Sequence, residues 1–181
     1  MADFSNSLDL STAAGIIAFI ALVSWPLFRE RRAILVVQLC AGIGFSLHYT
    51  FLGVAAAATV NVLGCVQTFA AIFSEESPAV RRLGYGLIGL MILAGVYFWA
   101  GPVSSLSVTA MVLIALGRLQ SDPMKLRILA MTGGGFWMAH DFIVNSMIAF
   151  AADTASLAIA IFTFARLSLP AKAMHSAPAP S

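Results

Sequence analysis

Two aspartates, Asp141 and Asp153, lie in stretches that are otherwise almost wholly apolar, and His48, His140 and Asn61 share that setting. A carboxyl group there can hold a proton or a cation, an imidazole can pass a proton, and an amide can bind a polar solute as donor and acceptor. An Asp at the centre of a membrane-spanning helix is unfavourable by about 2.5–3.5 kcal/mol on insertion scales, so such residues are candidates for function by default. Aromatic rings accompany them: Phe45 precedes His48 by three residues, and Trp137 precedes His140 by three. Residues three apart share a helix face. Asp153, Asn61, Phe45 and Trp137 are therefore read as substrate contacts, with Asp153 also a proton site. His48, His140 and Asp141 are read as a proton relay or pocket rim. The competing reading is packing. Asp153 would be satisfied by Thr154, Ser156 or a neighbouring helix, the histidines would bond between helices, and Asp141 would face water.

The elements that carry these residues follow from composition. Of 181 residues, 60% are hydrophobic and 10% charged, with a mean hydropathy of +0.94. A soluble domain carries about 25% charged residues. The balance excludes a soluble enzyme, a nucleic-acid-binding domain and a disordered chain, and makes the lipid bilayer the expected partner. Spans of about 20 apolar residues predict seven helices at 10–28, 33–52, 54–73, 83–100, 102–119, 127–144 and 147–167. Gly53 and Asn145 serve as tight turns, and Gly133-Gly134-Gly135 as a place of close helix approach or a bend. The Pro/Ala-rich tail 170–181 reads as disordered. Asp3 and Asp9, with no basic residue before Leu10, argue against a cleaved signal peptide.

Seven spans put Arg29, Arg31, Arg32, Arg81, Arg82, Arg118, Lys125, Arg127, Arg166 and Lys172 at one end, all ten Lys and Arg of the chain. Cytoplasmic loops carry the basic excess, so the N-terminus is expected outside and the C-terminus in the cytoplasm. Six or eight spans would split the charges.

An internal repeat appears at an offset of 92 residues, where Gly42 meets Gly134, Phe45 meets Trp137, His48 meets His140, Gly53 meets Asn145 and Asn61 meets Asp153. Two three-helix units, 10–73 and 102–167, then flank a linker helix at 83–100. Because one helix separates them, the units are parallel repeats about an axis along the membrane normal. Phe45, Asn61, Trp137 and Asp153 each lie eight residues from an outer turn, roughly 12 Å deep at 1.5 Å per residue. The two histidines lie one turn further out.

Gly15-Ile-Ile-Ala-Phe19, Arg31 to Leu39, Phe45 to Gly53 and Phe136 to Ser146 resemble the bacterial inner-membrane YgjV-type family over most of 10–168. In architecture the chain is similar to the SWEET and PQ-loop transporters. That resemblance implies a sugar-type pocket with Asn61 and Trp137 on its wall and Asp153 where a second Asn would stand. There is no Pro-Gln dipeptide, and the second and sixth spans lack proline.

The combined expectation is an all-α polytopic inner-membrane transporter of a small polar solute, working by alternating access, with proton coupling admitted by Asp153 and the histidines. It is not an enzyme, needs no cofactor or metal, and admits a second copy of itself as partner. One alternative is a membrane subunit or ion-conducting protein without a solute site. Another is an intramembrane metal hydrolase using His48, His140 and an Asp. Gly84 to Gly89 reads GxGxxG but opens a span with no strand before it. Both lysines are placed in the cytoplasm, which removes a retinal Schiff base. Cys40 and Cys65 read as small buried apolar residues.

Overall fold

Each break in the apolar sequence carries a local signal. Asp122 Oδ1 accepts the Met124 N–H at 2.8 Å, with Pro123 in the first turn. Ser77 caps Val80 N–H in the same way ahead of Pro78. Polar N-caps followed by proline are strong helix starts. Asn145 takes a left-handed φ of 59° and Gly101 one of 119°, conformations that Asn and Gly tolerate best.

The computed structural model describes residues 2–51, 55–99, 101–145 and 147–168. Among them every regular element is helical: α1 (Ala2–Ser24) with a 3-10 turn (Trp25–Leu27), α2 (Arg31–Phe51), α3 (Ala55–Ile72), α4 (Pro78–Tyr97), α5 (Ser104–Arg118), α6 (Pro123–Ile143) and α7 (Met147–Ser168). The predicted helices match these, with four earlier starts, that of α2 by two residues. α4 and α6 begin at their caps rather than at the apolar run, and α1 begins eight residues ahead of the predicted position. The turn assigned to Gly53 and the tail 170–181 lie outside the described residues.

Leu10–Leu27, Arg31–Phe51, Pro78–Tyr97 and Ala149–Ser168 are long and apolar enough to cross a membrane, while Ala58–Ile72 and Ser104–Arg118 are shorter apolar helices. α6 is the polar helix, carrying Lys125, Arg127, His140 and Asp141. Helices adjacent in sequence pack on each other, and in addition α7 packs on α1 and α3 on α5.

The packed core is concentrated at the basic end. Trp25, Ile34, Leu35, Ala71, Ile72, Leu119 and Leu126 meet there. Two buried arginines tie the helix ends together. Arg31 donates to the carbonyls of Ala71 (2.8 Å), Arg118 (2.8 Å) and Gln120 (2.7 Å), so the start of α2 caps the ends of α3 and α5. Arg127 donates to the carbonyls of Pro26 and Phe28 and stacks over Trp25, so the start of α6 caps the end of α1. The last carbonyls of a helix have no intrahelical partner and carry the negative end of the helix dipole, which is why guanidinium groups settle there.

The outer faces are apolar. Ile16, Ile17 and Ile20 on α1, Leu93, Val96 and Tyr97 on α4, and Phe162 on α7 are all exposed. So large an apolar surface suits lipid rather than water. α4 buries a single stripe of Gly84, Ile88 and Met91. Cys40 belongs to the exposed surface, contrary to the sequence reading, and Cys65 is half-buried. Cys40 falls on the face of α2 turned away from α1 and α3.

Candidate functional site

A cavity of about 160 Å³ runs through the middle of the bundle. On α2 it is lined by Gln38, Gly42, Phe45 and Tyr49, and on α6 by Ala130, Gly134, Trp137 and Asp141. Both sets follow the spacing i, i+4, i+7, i+11 of one helix face. Asn61 and Gly64 on α3, and Asp153 and Ser156 on α7, complete the matched walls. These residues pair at the 92-residue offset: Gln38 with Ala130, Gly42 with Gly134, Phe45 with Trp137, Tyr49 with Asp141, Asn61 with Asp153, and Gly64 with Ser156. The four residues read as substrate contacts, Phe45, Asn61, Trp137 and Asp153, all line this one cavity, as does Asp141.

The acidic pair is made by antiparallel helices. A side chain leans toward the N-terminus of its own helix. Asp141 on α6 therefore leans toward the basic end and Asp153 on α7 leans away from it, and both carboxyl groups line the cavity. Asp141 is 4% exposed, and its Oδ1 lies 3.0 Å from His140 Nδ1. The His140 ring in turn meets Trp137 edge-on, with centroids 5.3 Å apart. Trp137, Asp141 and Asp153 line the cavity, and His140 stands behind Trp137 and Asp141 outside its lining.

His48 stands elsewhere. Its Nδ1 lies 2.8 Å from the Ser11 carbonyl and 3.0 Å from Ser11 Oγ, and the ring abuts Gly15, where a Cβ would come within 2.9 Å. A carbonyl can only accept, so Nδ1 carries the proton. At about 100° per residue, His48 lies to one side of Phe45 and Tyr49 to the other. The cavity takes Tyr49, whose ring stacks on Phe45 at 6.3 Å, and α1 takes His48. The histidines therefore do not occupy matching places, although they match in sequence. The ligand set of a metal hydrolase, His48 with His140 and an Asp, is not gathered. Among the described residues no three His, Cys, Asp or Glu side chains are grouped for a metal.

Arg118 was counted with the basic flanks, yet it lines the cavity. It ends α5, and its side chain leans back along the helix into the bundle. Nε donates to Gln38 Oε1 at 3.0 Å, and Nη1 lies 3.5 Å from Gln67 Oε1 and the Gly64 carbonyl. Trp25 also reaches the wall, donating from Nε1 to Ser156 Oγ at 3.0 Å. The signal for Arg118 was its position inside the last apolar run, one residue before Leu119. The signal for Tyr49 and Gln38 was their spacing from Phe45.

The glycine triplet divides its work. A Cβ on Gly133 would come 2.8 Å from the Ala110 carbonyl and 2.6 Å from Ile114, whereas nothing lies within 4 Å at Gly134 or Gly135. Gly133 lets α5 and α6 approach, and Gly134 opens onto the cavity.

Residues 9–170 match the family model Imp-YgjV, described as a bacterial inner membrane protein. No curated protein and no solved structure matches the chain.

Proposed function

Since this chain belongs to the Imp-YgjV family of bacterial inner membrane proteins, we propose that it is an inner-membrane transporter that carries a small polar solute by alternating access. The observation that carries this reading is the paired lining of the cavity, in which positions 92 apart face each other's half. The two three-helix units, 10–73 and 102–167, are then parallel repeats around a shared site, with α4 as linker, in the manner of SWEET-type carriers. Helix neighbours support this. Exchanging α1, α2 and α3 for α5, α6 and α7 turns the α1–α7 contact into α5–α3, and both contacts exist. The buried arginines obey the same exchange: Arg31 of α2 binds the end of α5, and Arg127 of α6 binds the end of α1.

On this reading the basic end is cytoplasmic and the arginine ties hold it shut. Release inward requires them to part as one unit rocks against the other. The two acids of the cavity wall, Asp141 and Asp153, with His140 beside Asp141, admit proton coupling. The chain acts as a carrier and not a catalyst. The test is a metabolite screen by thermal shift on the purified protein, followed by counterflow in proteoliposomes with each binder. Uptake that Trp137→Ala abolishes is expected. Tight binders that never cross the bilayer, together with a co-purifying partner protein, would replace the carrier by a membrane subunit.

A further inference from the structure

Resting on that reading of the cavity as a solute site, we propose that the solute is a small zwitterion whose carboxylate is held by Arg118 and whose ammonium group is held by the Asp141–Asp153 pair. Arg118 faces the cavity with neutral partners only, the amides of Gln38 and Gln67 and the Gly64 carbonyl. Among the described residues the ion pairs are Arg31–Glu75, Arg32–Glu76 and His140–Asp141, so no carboxylate accompanies Arg118. A guanidinium away from water is strongly favoured by an anion that can take two of its N–H groups. The two carboxyl groups of Asp141 and Asp153 line the same cavity, with His140 beside Asp141. One basic and one acidic group therefore line the same cavity, the guanidinium without a carboxylate in contact.

Their separation has a usable size. Arg118 is the fifteenth residue of α5 and Asp153 the seventh of α7. With the helix starts level, their Cα atoms differ in depth by about 12 Å at 1.5 Å per residue, and the long arginine side chain reaches back across part of that gap. A molecule with its two charges a few carbons apart bridges what remains. Between the ends the wall is apolar, with Phe45, Met91, Met111 and Trp137. The cavity of about 160 Å³ is close to one of about 150 Å³ that holds benzene. That size suits an amino acid and excludes a nucleoside or disaccharide in this conformation. A singly charged solute would leave the other group desolvated and uncompensated, which is unfavourable.

The experiment uses the full chain in nanodiscs and measures binding of glycine, 4-aminobutyrate and 5-aminovalerate, with butyrate, butylamine and glucose as controls. At least one zwitterion is expected to bind about tenfold or more tighter than butyrate and butylamine, the worth of a charged hydrogen bond. Arg118→Gln should reduce that zwitterion to the level of butylamine, and the double variant Asp141→Asn/Asp153→Asn, which removes both acids of the wall, should reduce it to the level of butyrate, while Arg118→Lys retains part of the preference. Should either variant fail to fold, the wild-type comparison of zwitterion with single-charge controls decides alone. No binding of any zwitterion at millimolar concentration, equal binding of butyrate or butylamine, or a zwitterion preference that survives Arg118→Gln overturns the inference. Glucose binding and crossing while the zwitterions do not leaves the carrier intact and removes this substrate. Zwitterion binding without counterflow does the reverse.

Discussion

Asp141 and Asp153 line the same cavity from antiparallel helices. Asp153→Asn supplies an amide N–H to Asp141, so the contact persists and the folded state should keep its melting temperature. Binding of a cationic or zwitterionic solute should weaken, and its dependence on pH should flatten, because one of the two acids lining the cavity is gone. A titration of binding against pH on the wild type and the variant checks this. Asp153→Ala lacks the donor and leaves Asp141 without it. It should lose about 1–3 kcal/mol of stability, read as a lowered melting temperature. His48 behaves in the opposite way. His48→Ala removes the bond to Ser11 and the ring that fills the space beside Gly15. A loss of stability of about 1–3 kcal/mol is expected, with binding per folded molecule unchanged. Reduced affinity at unchanged stability would return His48 to the site.

Two adjacent glycines on α6 separate packing from binding at the level of the element. Gly133→Ala forces a methyl group against the Ala110 carbonyl and Ile114, pushing α5 and α6 apart. Overpacking of this kind is unfavourable by about 1–3 kcal/mol. Gly134→Ala meets nothing within 4 Å, and an alanine is favoured over glycine in a helix by about 1 kcal/mol. It should raise the melting temperature while taking space from the cavity wall, so binding of the largest accepted solute should fall first. Melting curves of both variants, with and without ligand, give the comparison. A Gly134→Ala protein with undiminished binding would move the solute away from α6.

The orientation of the whole molecule is also open to test. In a background with Cys40→Ser and Cys65→Ala, a cysteine at Lys125 or Arg82 should resist membrane-impermeant thiol reagents in intact cells and react in inverted vesicles. A cysteine at Tyr97 or Trp99 should do the reverse, since α4 carries the chain to the far end, where exposed Tyr97 and Trp99 match the aromatic belt of a membrane interface. Labelling of Lys125 from outside would invert the molecule and place the arginine ties on the periplasmic face.

The sequence by itself determined the all-helical class and the position of each helix to within a few residues at most ends. The reason is that hydropathy, turn residues and the 1.5 Å rise are properties of a segment taken alone, and a long apolar chain with few charges has little choice of element. The sequence also contained the 92-residue match, because equivalent wall positions keep equivalent spacing. Only the tertiary structure decided which face of each helix meets which neighbour. His48 and His140 match in sequence, but one bonds to Ser11 of α1 and the other to Asp141. Arg118, Arg31 and Arg127 are alike as charges near span ends. One enters the cavity and two cap helix ends, because the fate of a guanidinium depends on which carbonyls and amides other helices bring within reach. No single segment holds that information.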